Sequence, residues 1–304
     1  MKIAVYAIAK NEAKHVERWA ASAKDADGIF LLDTGSNDGT VGLARQVGAY
    51  VRSRNIDPWR FDTARNMSLE LVPQDYDWCI ALDLDEVLVP GWREALESLG
   101  PDITRARYKY TWSWTDNGKP GLVYGGDKIH RRNGYFWRHP VHEVVTPCHS
   151  EVQGWCHLEI HHFPDSGKSR GQYFPLLELA VEEDPNDDRN AHYLAREYFN
   201  HGMLDKAEAE FKRHLNLPTA TWGSERSQSC RYLYKITQDV GWLHKAIEEA
   251  PARREAYVDL AHHHYKRQEW SGCLAAAISA IRIKEKPLEY LTEDFAWGSL
   301  PSDL

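Results

Sequence analysis

The stretch WCIALDLDEVLV, residues 78 to 89, carries an apolar run into three carboxylates, Asp83, Asp85 and Glu86. Acids this close repel one another, so the run predicts that something positive sits at its end. A hard divalent ion with oxygen ligands, Mg2+ or Mn2+, suits Asp83 and Asp85. On a continued strand these two share one face while Leu84 anchors behind them. An acidic helix cap or a solvated loop would leave a similar string. A second polar cluster, DTGSNDGT from Asp33 to Thr40, places Gly35 and Gly39 in a tight turn. Ser36, Asn37 and Asp38 are there to cap the following helix, and Asp33 can accept hydrogen bonds from a base or a ribose.

These clusters need elements to hold them. Trp78–Leu82 lacks polar alternation and reads as a strand covered on both faces. Further strands are expected at Ile3–Ile8, Ile29–Asp33 and Ala49–Arg52, with amphipathic helices between them at Glu12–Ala23, Thr40–Gln46 and Phe61–Leu71. Such alternation implies βαβ units on a mainly parallel sheet, whose ligands bind beyond the carboxyl ends of the strands. KNE after the first strand, DTGSNDGT after the second and DLDE after the fourth all fall there. Beyond Trp92 the texture becomes aromatic and alternating, as in RARYKYTWSW and VQGWCHLEIHHF, which predicts appended antiparallel strands.

From about Gly171 the chain reads as helical, with a break at residues 184–187, DPND. Leu194, Ala195, Tyr198, Ala207 and Phe211 have the spacing of a tetratricopeptide helix pair. Leu260, Ala261, His264, Cys273, Ala277 and Ala280 recur on a similar frame. The 66 residues from Ala195 to Ala261 amount to about two such repeats, so a degenerate middle repeat is expected around 224 to 250. The expected organisation is therefore an α/β catalytic domain over 1–165, a connecting helix over 166–185, helical repeats over 186–287 and a tail over 288–304.

Composition narrows the function. The 304 residues carry a formal net charge of −8, which disfavours bulk binding to nucleic acid or anionic membrane. No apolar run approaches the roughly 18 residues needed to span a bilayer. IAVYAIA runs straight into KNE and reads as a strand rather than a signal peptide. Five irregularly spaced cysteines form no disulfide framework, so a reduced cytoplasmic setting is expected. Cys148, His149, Cys156 and His157 have no recognised zinc-finger spacing. Residues 105–138 hold eight lysines and arginines against the two acids Asp116 and Asp127, interleaved with Trp112, Trp114, Tyr124, Tyr135 and Trp137. This surface could meet a diphosphate, a sugar face or an acidic or nucleobase acceptor.

AIAKNE, DTGSNDGT, FDTARN and WCIALDLDE, in this order and at these separations, resemble the family 2 type of nucleotide-sugar glycosyltransferase with a GT-A fold. WRHPVHEVV, LEIHHF and the helical repeats resemble its bacterial and phage branch. The resemblance implies that Ile8 and Glu12 line the nucleotide pocket, Glu12 near the ribose, with Asp33 near a uracil. It implies that Arg65 helps hold the nucleotide, that Asp83 meets the ribose side and that Asp85 binds the metal. The common DDGS reads DTGS here, with Thr34 in place of the second acid.

Family members often close the metal site with a histidine late in the catalytic domain, which points to His162, with His161 as the alternative. On a strand these two face opposite ways. Transfer with inversion needs a base for the acceptor's proton. Glu143, where resembling proteins carry His-Glu, is the implied base, with His142 beside it and Asp127 in reserve. The expected activity is metal-dependent transfer of a hexose from a UDP-sugar to a glycan, lipid core, peptide or modified DNA base. The helical repeats would bind the acceptor, a partner protein or a second copy. A non-catalytic nucleotide-binding scaffold is the alternative reading.

Overall fold

The computed structural model describes residues 1–165, 171 and 173–304. The start of the expected connecting helix, 166–170 together with 172, lies outside the described residues. The chain divides into two compact units, Met1–Arg170 and Gly171–Leu304.

The first unit runs β1 (Ile3–Ala9), α1 (Ala13–Ser22), β2 (Gly28–Asp33), α2 (Thr40–Gln46), β3 (Tyr50–Ser53), α3 (Phe61–Leu69), β4 (Trp78–Ala81), β5 (Glu86–Leu88) and α4 (Trp92–Glu97). It continues with β6 (Arg105–Thr111), β7 (Val123–Arg131), β8 (Tyr135–Arg138), β9 (Val144–Pro147) and β10 (Gln153–His162). Eight strands form one mixed sheet in the order β3-β2-β1-β4-β7-β6-β10-β5, and β8 and β9 form a separate ribbon. β3, β2, β1 and β4 are mutually parallel. This is the expected α/β layout, a parallel core with strands appended to it. One appended pair departs from the antiparallel expectation: β10 runs parallel to β6, because β7 and the β8–β9 ribbon intervene in sequence and carry the chain back.

β1 lies at the centre of the parallel set, and Ile3 to Ala7 are wholly buried because helices cover both faces. On one side Val16 and Trp19 of α1 join the core, and the Trp19 indole donates to the Leu82 carbonyl at 3.0 Å. On the other side Ser68 of α3 donates to the Ala7 carbonyl at 2.9 Å. The chain leaves β1 for β2 and β3 on one flank and returns to β4 on the other. That reversal opens a crevice at the carboxyl ends of β1, β2 and β4.

The second unit begins with α5 (Tyr173–Glu183), and α6 (Asp188–Asn200) starts just past residues 184–187. Three helix pairs follow: α6 with α7 (Leu204–Asn216), α8 (Gly223–Thr237) with α9 (Gly241–Glu249), and α10 (Arg254–Lys266) with α11 (Trp270–Arg282). The middle pair occupies the stretch where the sequence suggests a degenerate repeat. Each pair turns through one left-handed residue, Gly202, Gln238 and Gln268 in turn. Small buried residues, Ala195, Ala207, Cys230, Ala246 and Ala256, let the helices approach around Phe211. Two short helices, α12 (Asp294–Trp297) and α13 (Leu300–Asp303), end the chain. Among the described residues no helix is long and apolar enough to cross a membrane. All five cysteines are free.

Candidate active site

The loops after β1 and β2 are stitched together before any ligand is considered. Asn11 donates its backbone N–H to Ser36 Oγ, and its side-chain oxygen accepts from the Asn37 N–H, at 2.8 and 2.9 Å. The Glu12 N–H donates to Thr40 Oγ1 at 2.8 Å, and Asp38 accepts from the Ala13 N–H at 3.0 Å. This corrects the expected capping: Ser36 and Asn37 serve the β1 loop, and only Asp38 also touches the first residue of α2. Gly35 and Gly39 take positive φ of 106° and 93°, conformations that side chains resist. Asp33 lies opposite Ala9 at the sheet end and accepts from the Gly35 and Ser36 amides, so its carboxylate holds its own turn. Ile8, on β1, pairs with Leu32, and Glu12 is buried just before α1.

Asp83 and Asp85 do not continue a strand. β4 stops at Ala81, and the Glu86 N–H closes a turn onto the Asp83 carbonyl at 2.9 Å before β5 begins. The two acids are therefore presented by a turn, with Leu84 buried behind them. Glu86, the third acid, is an internal strut. It accepts from Tyr110 Oη at 2.6 Å, from Lys128 Nζ at 3.3 Å and from the Asp83 N–H at 2.9 Å.

The positive charge demanded by this cluster comes from the protein. Arg65, on the buried face of α3, places Nη1 2.6 Å from Asp83 and donates its Nε–H to Glu143 at 3.0 Å, while its guanidinium lies 5.2 Å from the Trp137 ring. Lys128, on β7, reaches Asp83 at 3.1 Å. Burial would raise the Asp83 pKa, but the Arg65 and Lys128 charges and hydrogen bonds outweigh it and hold the carboxylate ionised. Burial raises Glu86 despite Lys128. For Lys128, burial works downward, and the two carboxylates overcome it and hold the ammonium well above its ordinary value. Lys128 escaped the sequence reading as an individual site residue; its only signal was the basic stretch that contains it.

The loop bearing Glu143 is fixed by Asn66. Its side-chain amide donates to the Trp137 carbonyl and accepts from the Trp137 N–H, both at 2.8 Å, so it pairs with β8 as another strand would. Glu143 then reaches Arg65, and His142 precedes it at a positive φ of 49°. Asp127 is not gathered here: its carboxylate pairs with Arg105 at 3.3 Å and Arg107 at 3.9 Å.

His162 faces Asp85, Nε2 to Oδ2, at 3.5 Å. Its Nδ1 lies 2.9 Å from the Trp112 carbonyl, and its ring stacks on the Trp112 indole with centroids 4.3 Å apart. A carbonyl can only accept, so Nδ1 carries a proton; Nε2 donates to Asp85 when the ring is protonated and turns its lone pair to the same position when the ring is neutral. Burial pulls the His162 pKa down, but hydrogen bonds to Asp85 and Trp112 raise it on balance. His161 points elsewhere, to Glu159 at 2.9 Å. The donor set fits a divalent ion: adjacent ligands of an octahedral ion lie about 3 Å apart, close to the separation seen. The outer contact from Trp112 is of the kind that orients a metal-bound histidine.

Much of the basic stretch is used internally. Arg105, Arg107, Lys109, Lys128, Arg131 and Arg132 all bond to carboxylates or carbonyls of the same unit. Trp137 and Tyr135 are buried, and Trp114 donates to the His162 carbonyl at 3.0 Å. Cys148, His149, Cys156 and His157 form no metal-binding group among the described residues.

No family profile matches the chain. An "Uncharacterized glycosyltransferase" of Rickettsia bellii is 32% identical over 108 residues, 35% of this chain and 35% of that protein. A "TPR repeat-containing protein" of Synechococcus elongatus is 33% identical over 102 residues, 32% of this chain and 24% of its own. The chain thus spans about a third or less of these curated relatives. Glucosyl-3-phosphoglycerate synthase from Mycobacterium tuberculosis, solved with Mg2+ and uridine diphosphate, is 26% identical with a TM-score of 0.30, covering 36% of this chain and 43% of that one.

Proposed function

We propose that the first unit is a metal-dependent glycosyltransferase of the family 2 type that moves a hexose from a UDP-sugar to an acceptor hydroxyl with inversion. The observation that carries this reading is the meeting of Asp85 with Nε2 of His162 beside the Arg65–Asp83–Lys128 cluster, at the carboxyl ends of parallel strands. The names of the rickettsial relatives point the same way.

In this reading Ile8, Glu12 and Asp33 line the nucleoside side, with Asp83 toward the ribose. Asp85 and His162 would hold Mg2+ or Mn2+, which supplies neutralising charge to the donor's diphosphate. Arg65 and Lys128 keep Asp83 ionised and add positive potential where negative charge develops. Glu143 takes the acceptor's proton as the acceptor oxygen bonds to the anomeric carbon. The bond from that carbon to the diphosphate oxygen breaks, and its electron pair leaves with UDP. His142, next to Glu143, is the reserve base; Asp127, paired with Arg105 and Arg107 away from this cluster, drops out of that role.

The second unit is proposed to bind a protein partner or another copy. Trp270, Leu274 and Ile278, spaced by four along α11, are all exposed. The experiment for the enzyme reading is a donor screen by UDP release with and without Mn2+, followed by mass spectrometry of the products. Turnover that depends on donor, metal and Asp85 supports the reading. UDP binding without turnover across donors would leave the scaffold reading instead.

A further inference from the structure

We propose that Asp188, His214 and Glu225 form a zinc site in the second unit, at the junction of its first two helix pairs. Their ligand atoms all lie within 4.8 Å of one another, and the Nε2 of His214 stands 3.9 Å from Oε2 of Glu225. Asp188 opens α6, His214 lies in the last turn of α7 and Glu225 lies in the first turn of α8. One ion would therefore tie together three helices from two successive repeats.

The case rests on the orientation of one buried ring. His214 is fully buried, and its Nε2 has no hydrogen-bond partner. A relay behind it fixes the protons. His192 Nε2 lies 3.1 Å from the Gln228 side-chain oxygen, an acceptor, so Nε2 carries the hydrogen and Nδ1 of the neutral ring accepts. Ser229 Oγ, 2.8 Å from that Nδ1, must donate to it. The same hydroxyl therefore accepts from His214 Nδ1, 2.9 Å away. Neutral His214 is left with a lone pair on Nε2, aimed toward a carboxylate with no donor between them.

Glu225 is also arranged as a ligand. Its Oε1 accepts from Tyr290 Oη at 2.5 Å, which leaves Oε2 toward His214. Ser229 behind the histidine and Tyr290 behind the carboxylate are outer contacts of the kind that orient metal ligands. One imidazole and two carboxylates suit Zn2+, with a water completing four-coordination. Ligands of tetrahedral zinc lie roughly 3.3 Å apart, so loading draws the three side chains together.

The test uses Zn2+ on the full chain carrying Asp85→Ala, so that the first unit's proposed metal position does not contribute. After incubation with Zn2+ and dialysis, elemental analysis is expected to find one equivalent per chain. Asp188→Asn and Glu225→Gln, both near-isosteric, are expected to weaken binding at least about 10-fold each. Retention of no zinc overturns the proposal. So does equal retention by both folded variants, since exposed histidines alone would then hold the metal. Should those variants not fold, Co2+ in the Asp85→Ala chain decides: the His214 ring protons are expected to show hyperfine shifts, and unshifted His214 signals overturn the assignment.

Discussion

Replacing Glu143 with glutamine separates a catalytic carboxylate from a tether. Gln keeps an oxygen for the Arg65 Nε–H and almost the same shape, and removes the charge and the basicity. Arg65 retains its 2.6 Å contact with Asp83, so it is not stranded. The structural loss is the difference between a charge-assisted and a neutral hydrogen bond, about 1 kcal/mol. In a unit of this size that lowers the melting temperature by roughly 2–4 °C. Loss of a general base instead lowers the transfer rate by about 10²–10⁴, with donor affinity changed only a few fold. Initial rates of sugar transfer, donor affinity by calorimetry and the melting temperature are measured on the one variant. A transfer rate per folded molecule close to that of the parent refutes the base assignment and leaves Glu143 as an anchor for Arg65.

Asp85→Ala removes a side chain that is 16% exposed on a turn, so Mn2+-dependent turnover is expected to vanish while the melting temperature moves by no more than about 2 °C. Turnover that persists with Mn2+ would place the metal elsewhere. His130 is buried between Tyr6 and Tyr135, and burial, aided by Arg105 and Arg132, lowers its pKa to about 4 despite the Arg131 carbonyl. The unfolded chain takes up this proton near pH 6.5 and the folded one only near 4. The contribution is thus present above pH 6.5 and is lost, by about 3 kcal/mol, as the pH falls to 4. Denaturant melts across that range should show a slope that His130→Gln flattens, and an unchanged slope would contradict the account. Phe211 is fully buried in the first helix pair and stacks on Tyr232 at 4.9 Å, so Phe211→Ala should destabilise the second unit by about 3–5 kcal/mol. A loss below about 1 kcal/mol would show that this core collapses around the gap.

The sequence made legible whatever is periodic or local. A run without polar alternation marked β4, and the 66-residue recurrence of Ala195 at Ala261 marked a middle helix pair that has little pattern of its own. The repulsion among Asp83, Asp85 and Glu86 implied a cation, and two protein cations stand there, Arg65 and Lys128. Which cations they would be depended on strand order, because Lys128 reaches Asp83 only once β7 lies against β4. Its neighbour Asp127 was chosen from the same stretch, yet it pairs with Arg105 and Arg107. Alternation along β7 could not decide between the two, since the β6–β7 register shifts at this point.

His161 and His162 pose the same problem with a different answer. Period-2 alternation separates their faces but does not say which face holds the carboxylate. That is settled by β5, a three-residue strand beginning at Glu86 that pairs with the end of β10 and sets His162 opposite Glu86. The turn that ends β4 early is what frees residues 86–88 to make this pairing. Had the acids continued the strand, as alternation suggested, Glu86 could not have opened a new one against β10. The misplaced acids and the unresolved histidine therefore share one physical cause, a tight turn at Leu84–Asp85 closed by a single backbone hydrogen bond.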